Sequence, residues 1–395
     1  MTLHGEVPGI NLVFGADNLH RPLTGIGRYS LELARRLEFH KKIDEIRYFS
    51  LGRWVVSPIS DLVNVNAPRV VSNTASIKAW LGSQSLAVKA YNALSPTMFK
   101  WRLRELSSSD VYHSPSFFAP ICKARKVATV HDLSHEISPE FHPTARVELM
   151  SQALPRSLAI TDHVITVSET VRLEVIERYG ISPDRVSAIH LAADASYRLH
   201  TLEMLTPAMS ALRLRPGGYC LFVGTVEPRK NVKRLVEAYA ALPADLRADC
   251  PLVIAGGPGW NSADIHEAIA KGVEAGWLRY LSFVEQRWLP ALYAGARLMA
   301  YPSLYEGFGL PIVEAMASGT PVLTSNVSCM PEVAGGAALL VTPTSVDELV
   351  EGLRMCLTDT HWQEQAAQNG LMRASQLSWD RCAEMTVQVY ESVLS

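Results

Sequence analysis

The sequence predicts an α/β protein built from two doubly wound parallel sheets, and three observations support this fold class. Short apolar runs with the composition of buried strands alternate along the chain with segments of helical periodicity. Many of these strand candidates end in glycine-rich turns, which is typical of parallel sheets covered on both faces. The chain has 395 residues, which is long for one domain and sufficient for two. Because ligands of such sheets bind at the carboxyl ends of the strands, we expect a site in the turns that follow them.

The first half of the chain supplies three strand candidates. Ile10–Phe14 precedes a glycine-containing loop and a helical pattern, and Val127–Val130 is followed by a histidine and an aspartate. Val164–Val167 precedes a helix that we expect to begin after Ser168 and to end at Gly180, because serine is a favoured N-cap and glycine a favoured terminator.

The second half repeats the alternation, after a segment with the composition of a linker. This segment, Thr201–Pro216, contains two prolines and is followed by two glycines, so we place a domain boundary near residue 210. The strand candidates of the second half are Cys220–Val223, Leu252–Ala255, Tyr280–Phe283, Arg297–Tyr301, Val322–Thr324 and Ala338–Val341.

The composition excludes several classes of protein. With 48% hydrophobic and 19% charged residues the chain is not of the disordered class, and a net charge of -2 provides no basic field for nucleic acid. The six cysteines never form a CxxC pair, which argues against a zinc site or a disulfide framework. The sequence shows neither a signal peptide nor an apolar run of about 18 residues, so we expect a cytoplasmic protein, soluble or peripheral to the inner face of the cell membrane.

The most informative segment is Tyr301–Gly319. It predicts a strand end, a glycine-rich turn and a helix that begins at Pro311, since proline suits the first position of a helix. Gly307 and Gly309 allow the backbone to approach a ligand closely. The free amides at the start of the helix suit a phosphate or pyrophosphate.

Two glutamates, Glu306 and Glu314, bracket this turn. A carboxylate pair beside an anion site is unsuited to the anion itself and better suited to hydroxyl groups, such as those of a ribose and a sugar. The combination predicts a nucleotide-sugar pocket.

A second pattern lies at Phe222–Asn231, where a strand ends at Gly224 and Arg229 and Lys230 stand before a helical segment. The arginine offers a bidentate fork and the lysine a point charge, which together suit a diphosphate. The alternative is a solvated basic turn, which the glutamate pattern makes less favoured.

Two weaker signals lie in the first half. Gly25 and Gly27 follow the first strand candidate as in a dinucleotide fingerprint, but Ser30 occupies the place of the third glycine. A tight turn between a strand and a helix is the alternative. His131, at the end of a strand, can face a ligand in the cleft or be a structural histidine bonded to the backbone.

Together these segments resemble the retaining, nucleotide-sugar-dependent glycosyltransferases with two Rossmann-like domains (the GT-B type), in particular the family 4 enzymes that include polysaccharide mannosyl- and rhamnosyltransferases. The shared segments are TGIGRYS, VHD, VSE, FVGTVEPRKN and EGFGLPIVEAMASGTPV, and the match runs from about Gly15 to Tyr390. The resemblance implies two Rossmann-like domains facing a cleft. Residues 1–208 would bind the acceptor, residues 209–375 would bind the nucleotide sugar, and residues 376–395 would form a helix that crosses back to the first domain.

The resemblance also implies roles for individual residues. Glu314 would hold the ribose hydroxyls, and Glu306 the donor sugar. Arg229 and Lys230 would neutralise the departing diphosphate, and His131 would lie near the donor sugar and the acceptor. The remaining donor-site residues would be Gly25 and Gly27, which let the first helix approach the phosphates, together with Gly224, Gly307, Phe308, Gly309 and Leu310.

We therefore expect a hexosyltransferase that moves mannose or rhamnose from a nucleoside-diphosphate sugar, with GDP favoured, to a glycan or a lipid-linked glycan. The resemblance implies retention of the anomeric configuration and a place in the synthesis of a cell-surface polysaccharide such as O-antigen or exopolysaccharide. UDP- and dTDP-sugars stay open as donors. An NAD-dependent oxidoreductase and a catalytically silent sugar-nucleotide binder are the less favoured alternatives, and no cofactor is expected.

Residues 62–104 contain no acidic residue and six basic ones, interleaved with aromatic residues. This composition suits the surface of an anionic membrane, and lipid-linked acceptors are common in the family that the chain resembles. We expect a peripheral contact with a membrane or a polyprenyl-linked glycan, with amphipathic helices and solvated lysines as the alternative. The basic residues are Arg69, Lys78, Lys89, Lys100, Arg102 and Arg104.

The sequence predicts that transfer needs no metal ion. Many nucleotide-sugar transferases hold Mg²⁺ with an Asp-x-Asp sequence, and this chain contains none. Arg229, Lys230 and two helix starts would carry the leaving-group charge instead. We expect full activity in excess EDTA, and a strict dependence on Mg²⁺ or Mn²⁺ in a titration would contradict this.

Overall fold

The computed structural model describes residues 9–20, 23–59, 62 and 99–395, and places two sheets in the chain. The first has seven strands in the order β3-β2-β1-β4-β5-β6-β7, parallel except for the pair of β2 and β3. Its strands are β1 (Ile10–Gly15), β2 (Ile43–Ser50), β3 (Arg53–Val55), β4 (Asp110–Ser114), β5 (Arg125–Val130), β6 (His163–Thr166) and β7 (Val186–Ala188).

The second sheet has six strands in the order β10-β9-β8-β11-β12-β13, and all are parallel. They are β8 (Cys220–Val223), β9 (Leu252–Ala255), β10 (Leu278–Ser282), β11 (Leu298–Tyr301), β12 (Val322–Ser325) and β13 (Leu339–Val341). The strand order reverses between β8 and β11, so the crevice at their carboxyl ends is where a ligand is expected. The predicted class, two doubly wound parallel sheets, is confirmed.

Helices cover both sheets. Those of the first half are α1 (Gly25–Leu37), α2 (Ser134–Ile137), α3 (Thr144–Ile160), α4 (Glu169–Tyr179) and α5 (Leu202–Leu212). Those of the second half are α6 (Val232–Ala240), α7 (Ala244–Asp249), α8 (Ala263–Glu274), α9 (Leu289–Ala294), α10 (Leu310–Ala317), α11 (Met330–Ala334), α12 (Val346–Thr358), α13 (Thr360–Ser375) and α14 (Trp379–Leu394). All six cysteines are free thiols.

The local signals at α4 are confirmed in detail. The Ser168 side chain caps the helix by accepting a hydrogen bond from the Val171 amide, and Gly180 ends it with a φ of 61°. The helix of the Tyr301–Gly319 segment begins one residue earlier than predicted, at Leu310, because Gly309 already takes the N-cap position.

The predicted linker is mostly helical. Within Thr201–Pro216, the Thr201 hydroxyl caps α5, and Arg213 ends that helix in a left-handed conformation with φ of 52°. Its apolar face packs against α9 of the second half, with Leu205, Ala208 and Met209 buried. The connection between the two sheets is therefore ordered and rests on the second one, and the domain boundary near residue 210 stays a prediction.

The last helix, α14, packs against α1 of the first sheet. The Tyr390 hydroxyl lies 2.6 Å from Nδ1 of the buried His113, whose Nε2 lies 2.9 Å from the Thr129 hydroxyl. On the surface, Arg36 pairs with Asp380 at 2.6 Å. Helix α14 therefore completes the core around the first sheet.

Candidate active site

Glu306 is held by three side chains at the carboxyl end of the second sheet. Its Oε2 accepts a hydrogen bond from Arg229 Nη1 at 2.8 Å, and its Oε1 accepts one from Lys230 Nζ at 2.5 Å. The Tyr301 hydroxyl, at the end of β11, donates to Oε1 at 2.9 Å. The two cations follow β8 and the glutamate follows β11, so the reversal of strand order brings them together.

Arg229 and Lys230 are not a solvated basic turn. Their side chains are only 13% and 12% exposed, and Arg229 Nη2 makes a second ion pair with Glu227 at 2.8 Å. Lys230 also donates to the Tyr301 hydroxyl at 2.6 Å. The Nε of Arg229 is buried and has no partner in the described part of the chain, so one donor stays uncommitted.

These contacts decide the protonation of the cluster. Burial raises the pKa of Glu306, but the charges of Arg229 and Lys230 outweigh it and hold that pKa at about 2. Burial lowers the pKa of the Lys230 ammonium, which Arg229 reinforces and Glu306 opposes. Glu306 is therefore ionised, and it lies with Arg229 and Lys230 in a largely buried environment where electrostatic interactions are strong.

The turn after Glu306 carries a row of four consecutive backbone amides, three of them in buried residues. Within the residues that the structure describes, the N–H groups of Gly307, Phe308, Gly309 and Leu310 donate to no protein atom. The carbonyls of Glu306 and Phe308 are occupied, because the Cys329 thiol donates to them at 3.1 and 3.2 Å. Buried amides normally have partners, so this row of donors at the start of α10 is suited to oxygen atoms of a ligand.

Gly307 serves a purpose that the sequence did not predict. A Cβ atom on this residue would lie 1.7 Å from the carbonyl oxygen of His131, on the first sheet. The Gly307 carbonyl accepts a hydrogen bond from Ser168 Oγ at 2.7 Å. Its missing side chain therefore permits contact between the backbones of the two halves, in addition to any approach of a ligand.

His131 stands at this contact with its ring turned into the first half. Its Nε2 lies 2.7 Å from the Pro115 carbonyl and donates to it, and the ring packs edge-on against Tyr29 and Phe117. Burial lowers the pKa of His131, which favours the neutral ring. This bonding matches the structural alternative, and a catalytic role for His131 stays a prediction.

Glu314 lies one turn into α10 and faces the first half. Arg28 of α1 donates to its Oε1 at 3.3 Å, and burial raises the pKa of the carboxyl while Arg28 opposes that effect. The N-terminal turn of α1 thus lies beside the second-domain site. There Thr24 accepts from the Gly27 amide at 3.2 Å, and a Cβ on Gly27 would meet the Asn18 carbonyl at 2.9 Å.

Gly224 ends β8 with a φ of 157°, and its carbonyl lies against Gly256 at the end of β9. A Cβ on Gly256 would stand 1.9 Å from the Gly224 oxygen. The turns after β8 and β9 therefore pack closely against each other at the carboxyl end of the second sheet.

The structure thus brings Glu306, Arg229 and Lys230 into direct contact, with the unpaired amides of the turn beside them. Sequence reasoning missed several residues that complete the cluster. Arg28 and Asp132 stood inside the quoted segments TGIGRYS and VHD, where charged residues next to a glycine turn and a strand end were an available signal. The missed residues are Arg28, Glu227 and Tyr301; Ser328, whose hydroxyl donates to the Glu306 carbonyl at 2.6 Å; and Asp132, whose charge raises the pKa of Arg229.

The second half couples to the first through a further carboxylate. Glu332 of α11 accepts hydrogen bonds from the amides of Glu169 and Thr170 at 2.7 and 3.0 Å, so it caps α4 from the other half of the molecule. It also lies 2.6 Å from His190 Nε2. Burial opposes ionisation of Glu332, and these donors hold its pKa at about 2.

Two doubly wound parallel sheets, with the Glu306, Arg229 and Lys230 cluster at the carboxyl end of the second sheet, are the architecture of GT-B glycosyltransferases. The chain matches the family described as Glycosyl transferases group 1 over residues 215–372, and the one described as Glycosyltransferase Family 4 over residues 23–197. Within the described ranges, no group of three or more His, Cys, Asp and Glu side chains is placed to hold a metal ion.

Two relatives extend the comparison over most of the chain. It is 38% identical over 382 residues to O-antigen chain mannosyltransferase B of Escherichia coli, covering 97% of this chain and 100% of that protein. It is 25% identical to O-antigen chain mannosyltransferase RfbU of Salmonella typhimurium, covering 84% of this chain and 87% of that protein. The chain belongs to glycosyltransferase family 4, and the protein is a hexosyltransferase.

Solved structures share the fold. WaaG, a glycosyltransferase involved in lipopolysaccharide biosynthesis, superposes with a TM-score of 0.68 at 18% identity over 96% of this chain and 99% of that one. Anabaena HepE in complex with UDP and glucose gives a TM-score of 0.66 at 18% identity over 97% of this chain and 100% of that one. Because the chain belongs to glycosyltransferase family 4, the oxidoreductase alternative is wrong.

The contact at Gly307 leads to a prediction about stability. Gly307→Ala places a methyl group against the His131 backbone, so the two halves must separate locally. We expect the Tm to fall by several degrees, together with a large loss of transfer activity. Gly25→Ala is the control for the Tm, because a Cβ there meets nothing within 4 Å. A Gly307→Ala variant with the wild-type Tm and activity would contradict the assignment.

Proposed function

We propose that the protein transfers mannose from GDP-mannose to a growing O-antigen glycan, with retention of the anomeric configuration. The observation that carries a nucleotide-sugar site is the row of unpaired amides from Gly307 to Leu310 beside the Glu306 cluster. Mannose and O-antigen are supported by two O-antigen chain mannosyltransferases that match the chain along most of its length. GDP is supported by the resemblance of the GTVEPRKN segment to mannosyl- and rhamnosyltransferases, and rhamnose, UDP and dTDP are the alternatives.

The cluster suits the departure of a diphosphate. The bond from the sugar C1 to the phosphate oxygen breaks while a bond from C1 to the acceptor oxygen forms on the same face. The proton of the acceptor hydroxyl passes to the leaving phosphate. Arg229 retains an unpaired Nε–H, and Lys230 has three donors of which the structure engages two. These donors, with the amides at the start of α10, stabilise the negative charge that develops on the leaving group.

Each carboxylate has a separate task in this proposal. Glu306 stays ionised because Arg229 and Lys230 hold it so, and its oxygens lie where hydroxyls of the donor sugar can donate to them. Glu314 accepts from the ribose hydroxyls. Gly25 and Gly27 let the start of α1 approach the phosphates, and His131 borders the donor sugar from the first half.

The proposal predicts which ligands stabilise the protein. A ligand at about 100 times its dissociation constant adds about 2.7 kcal/mol to the free energy of unfolding. We expect a thermal shift with GDP, and none with UDP, dTDP or NADH. A shift with UDP or dTDP alone would change the donor but keep the reaction class. A shift with NADH alone, or with none of the four, would contradict the site.

The role of Glu306 in catalysis is tested with the Glu306→Gln variant, by measuring transfer from radiolabelled GDP-mannose to a lipid-linked glycan. We expect kcat to fall by about 100-fold or more, because the amide cannot balance the two cations. Glu351→Gln removes an exposed carboxylate that pairs only with Arg354 among the described residues, and should keep the wild-type kcat. Retention of kcat in Glu306→Gln would indicate that the site lies elsewhere, and absence of transfer by the wild type would support a silent binder.

We also propose that the protein works at the inner face of the cell membrane, where a lipid-linked acceptor is found. Of the basic segment 62–104, the structure describes residue 62 and residues 99–104. There Trp101 is 55% exposed, and the guanidiniums of Arg102 and Arg104 lie 5.0 and 5.1 Å from the centre of its ring. Arg69, Lys78 and Lys89 lie outside the described residues. None of the described helices is long and apolar enough to span a bilayer.

The membrane contact is tested by flotation with vesicles that contain anionic lipid. We expect binding at low salt that weakens as ionic strength rises, because screening shortens the reach of the surface charge. A Trp101→Ala, Arg102→Gln double variant should bind more weakly, and vesicles of neutral lipid serve as the control. No binding at low salt would remove this part of the proposal.

A further inference from the structure

Arg28 connects the first half of the molecule to the carboxylate that we assign to the ribose. Its Nη1 donates to Glu314 Oε1 at 3.3 Å and to the Tyr197 hydroxyl at 3.1 Å, and its Nη2 donates to the Gln286 side chain. The Glu314 side chain is 9% exposed and that of Arg28 is 21% exposed. A cation of one half therefore covers a buried carboxylate of the other.

This contact competes with the role of Glu314. Ribose hydroxyls would donate to the same carboxylate to which Arg28 now donates. The distance of 3.3 Å lies beyond the usual range for an N–H···O hydrogen bond, so the contact is a weak one that other donors can replace. Because Glu314 is buried, it needs a positive partner to stay ionised whenever no ligand is present.

Arg28 also lies at the end of α1 that would approach the donor phosphates, which would be a second partner for its guanidinium. It follows Gly27 in the first turn of α1, whose starting amides at Gly25 and Ile26 have no partner among the described residues. This is the end of the helix that approaches the phosphates in the proposed function. A guanidinium can donate paired hydrogen bonds to the oxygens of a phosphate. A nucleoside without phosphates offers no comparable pair of acceptors.

We propose that Arg28 is a displaceable counter-ion of Glu314, which pairs with this carboxylate in the nucleotide-free enzyme and moves to the diphosphate when ribose hydroxyls replace it. Arg28 then selects nucleoside diphosphates over nucleosides, because only a diphosphate provides a new anionic partner in place of Glu314. The inference rests on the proposed function, because it requires a nucleoside diphosphate in this cleft.

The test compares two ligands that differ only in the diphosphate. Calorimetry with guanosine and GDP, and in parallel with uridine and UDP, gives the ratio of the two affinities for whichever base binds. In Arg28→Gln we expect the nucleoside to bind as well as or better than in the wild type, because its competitor is gone. The nucleoside diphosphate should bind about tenfold or more weakly, so the ratio falls by at least that factor, about 1.4 kcal/mol.

Two further variants make the result specific. Arg28→Lys keeps a positive charge and should recover part of the ratio. Arg36→Gln removes another arginine of α1, which pairs with Glu32 and Asp380 away from the site, and should leave the ratio unchanged. The Tm of each variant shows whether it is folded, and Arg28→Lys replaces Arg28→Gln if the latter is not.

The outcomes separate the inference from the proposed function. An equal loss of affinity for nucleoside and nucleoside diphosphate would show that Arg28 only joins the two halves, and would overturn the inference. An unchanged ratio in both Arg28 variants would overturn it as well. A wild-type protein that binds none of the nucleoside diphosphates would contradict the proposed function, and the inference with it.

Discussion

The site depends on the ion pairs that Glu306 makes with Arg229 and Lys230. Each of the three charges would be costly to bury alone, and together they hold the turn before α10 against the turn after β8. Tyr301 and Cys329 add hydrogen bonds to the side chain and the carbonyl of Glu306. These contacts hold in place the turn whose amides, from Gly307 to Leu310, have no partner among the described residues, and fixed positions are what preorganised donors require.

The sequence predicted the elements of the second half well and those of the first half less completely. Most strands of the second half are short apolar runs, and their length and the turn residues beside them favour strands over helices. β2 carries Asp44, Glu45 and Arg47, and β4 carries Asp110 and His113, so neither presents such a run. In β4 the His113 ring is buried because Tyr390, distant in the sequence, bonds to it, whereas the partner of Asp110 is the nearby Ser107.

The same limit applies to the site. Glu306, Arg229 and Lys230 were predictable because each stands in a turn after an apolar strand of the same sheet. The contact of Arg28 with Glu314 joins residues of different sheets, and no local pattern encodes how the two sheets face each other. The tight packing of Gly307 on His131 is likewise invisible in the sequence, where the glycine suggests only freedom of the backbone.

The return of α14 to the first sheet has a consequence for the order in which the chain matures. Domains emerge from the ribosome with the N-terminal one first. Here the first half is synthesised early, yet the face of α1 and the ring of His113 lack their partners until Tyr390 has been added. The half that is made first therefore keeps apolar surface uncovered until α14 has been translated. Removal of this one helix would damage the half of the molecule from which it is most distant in the sequence.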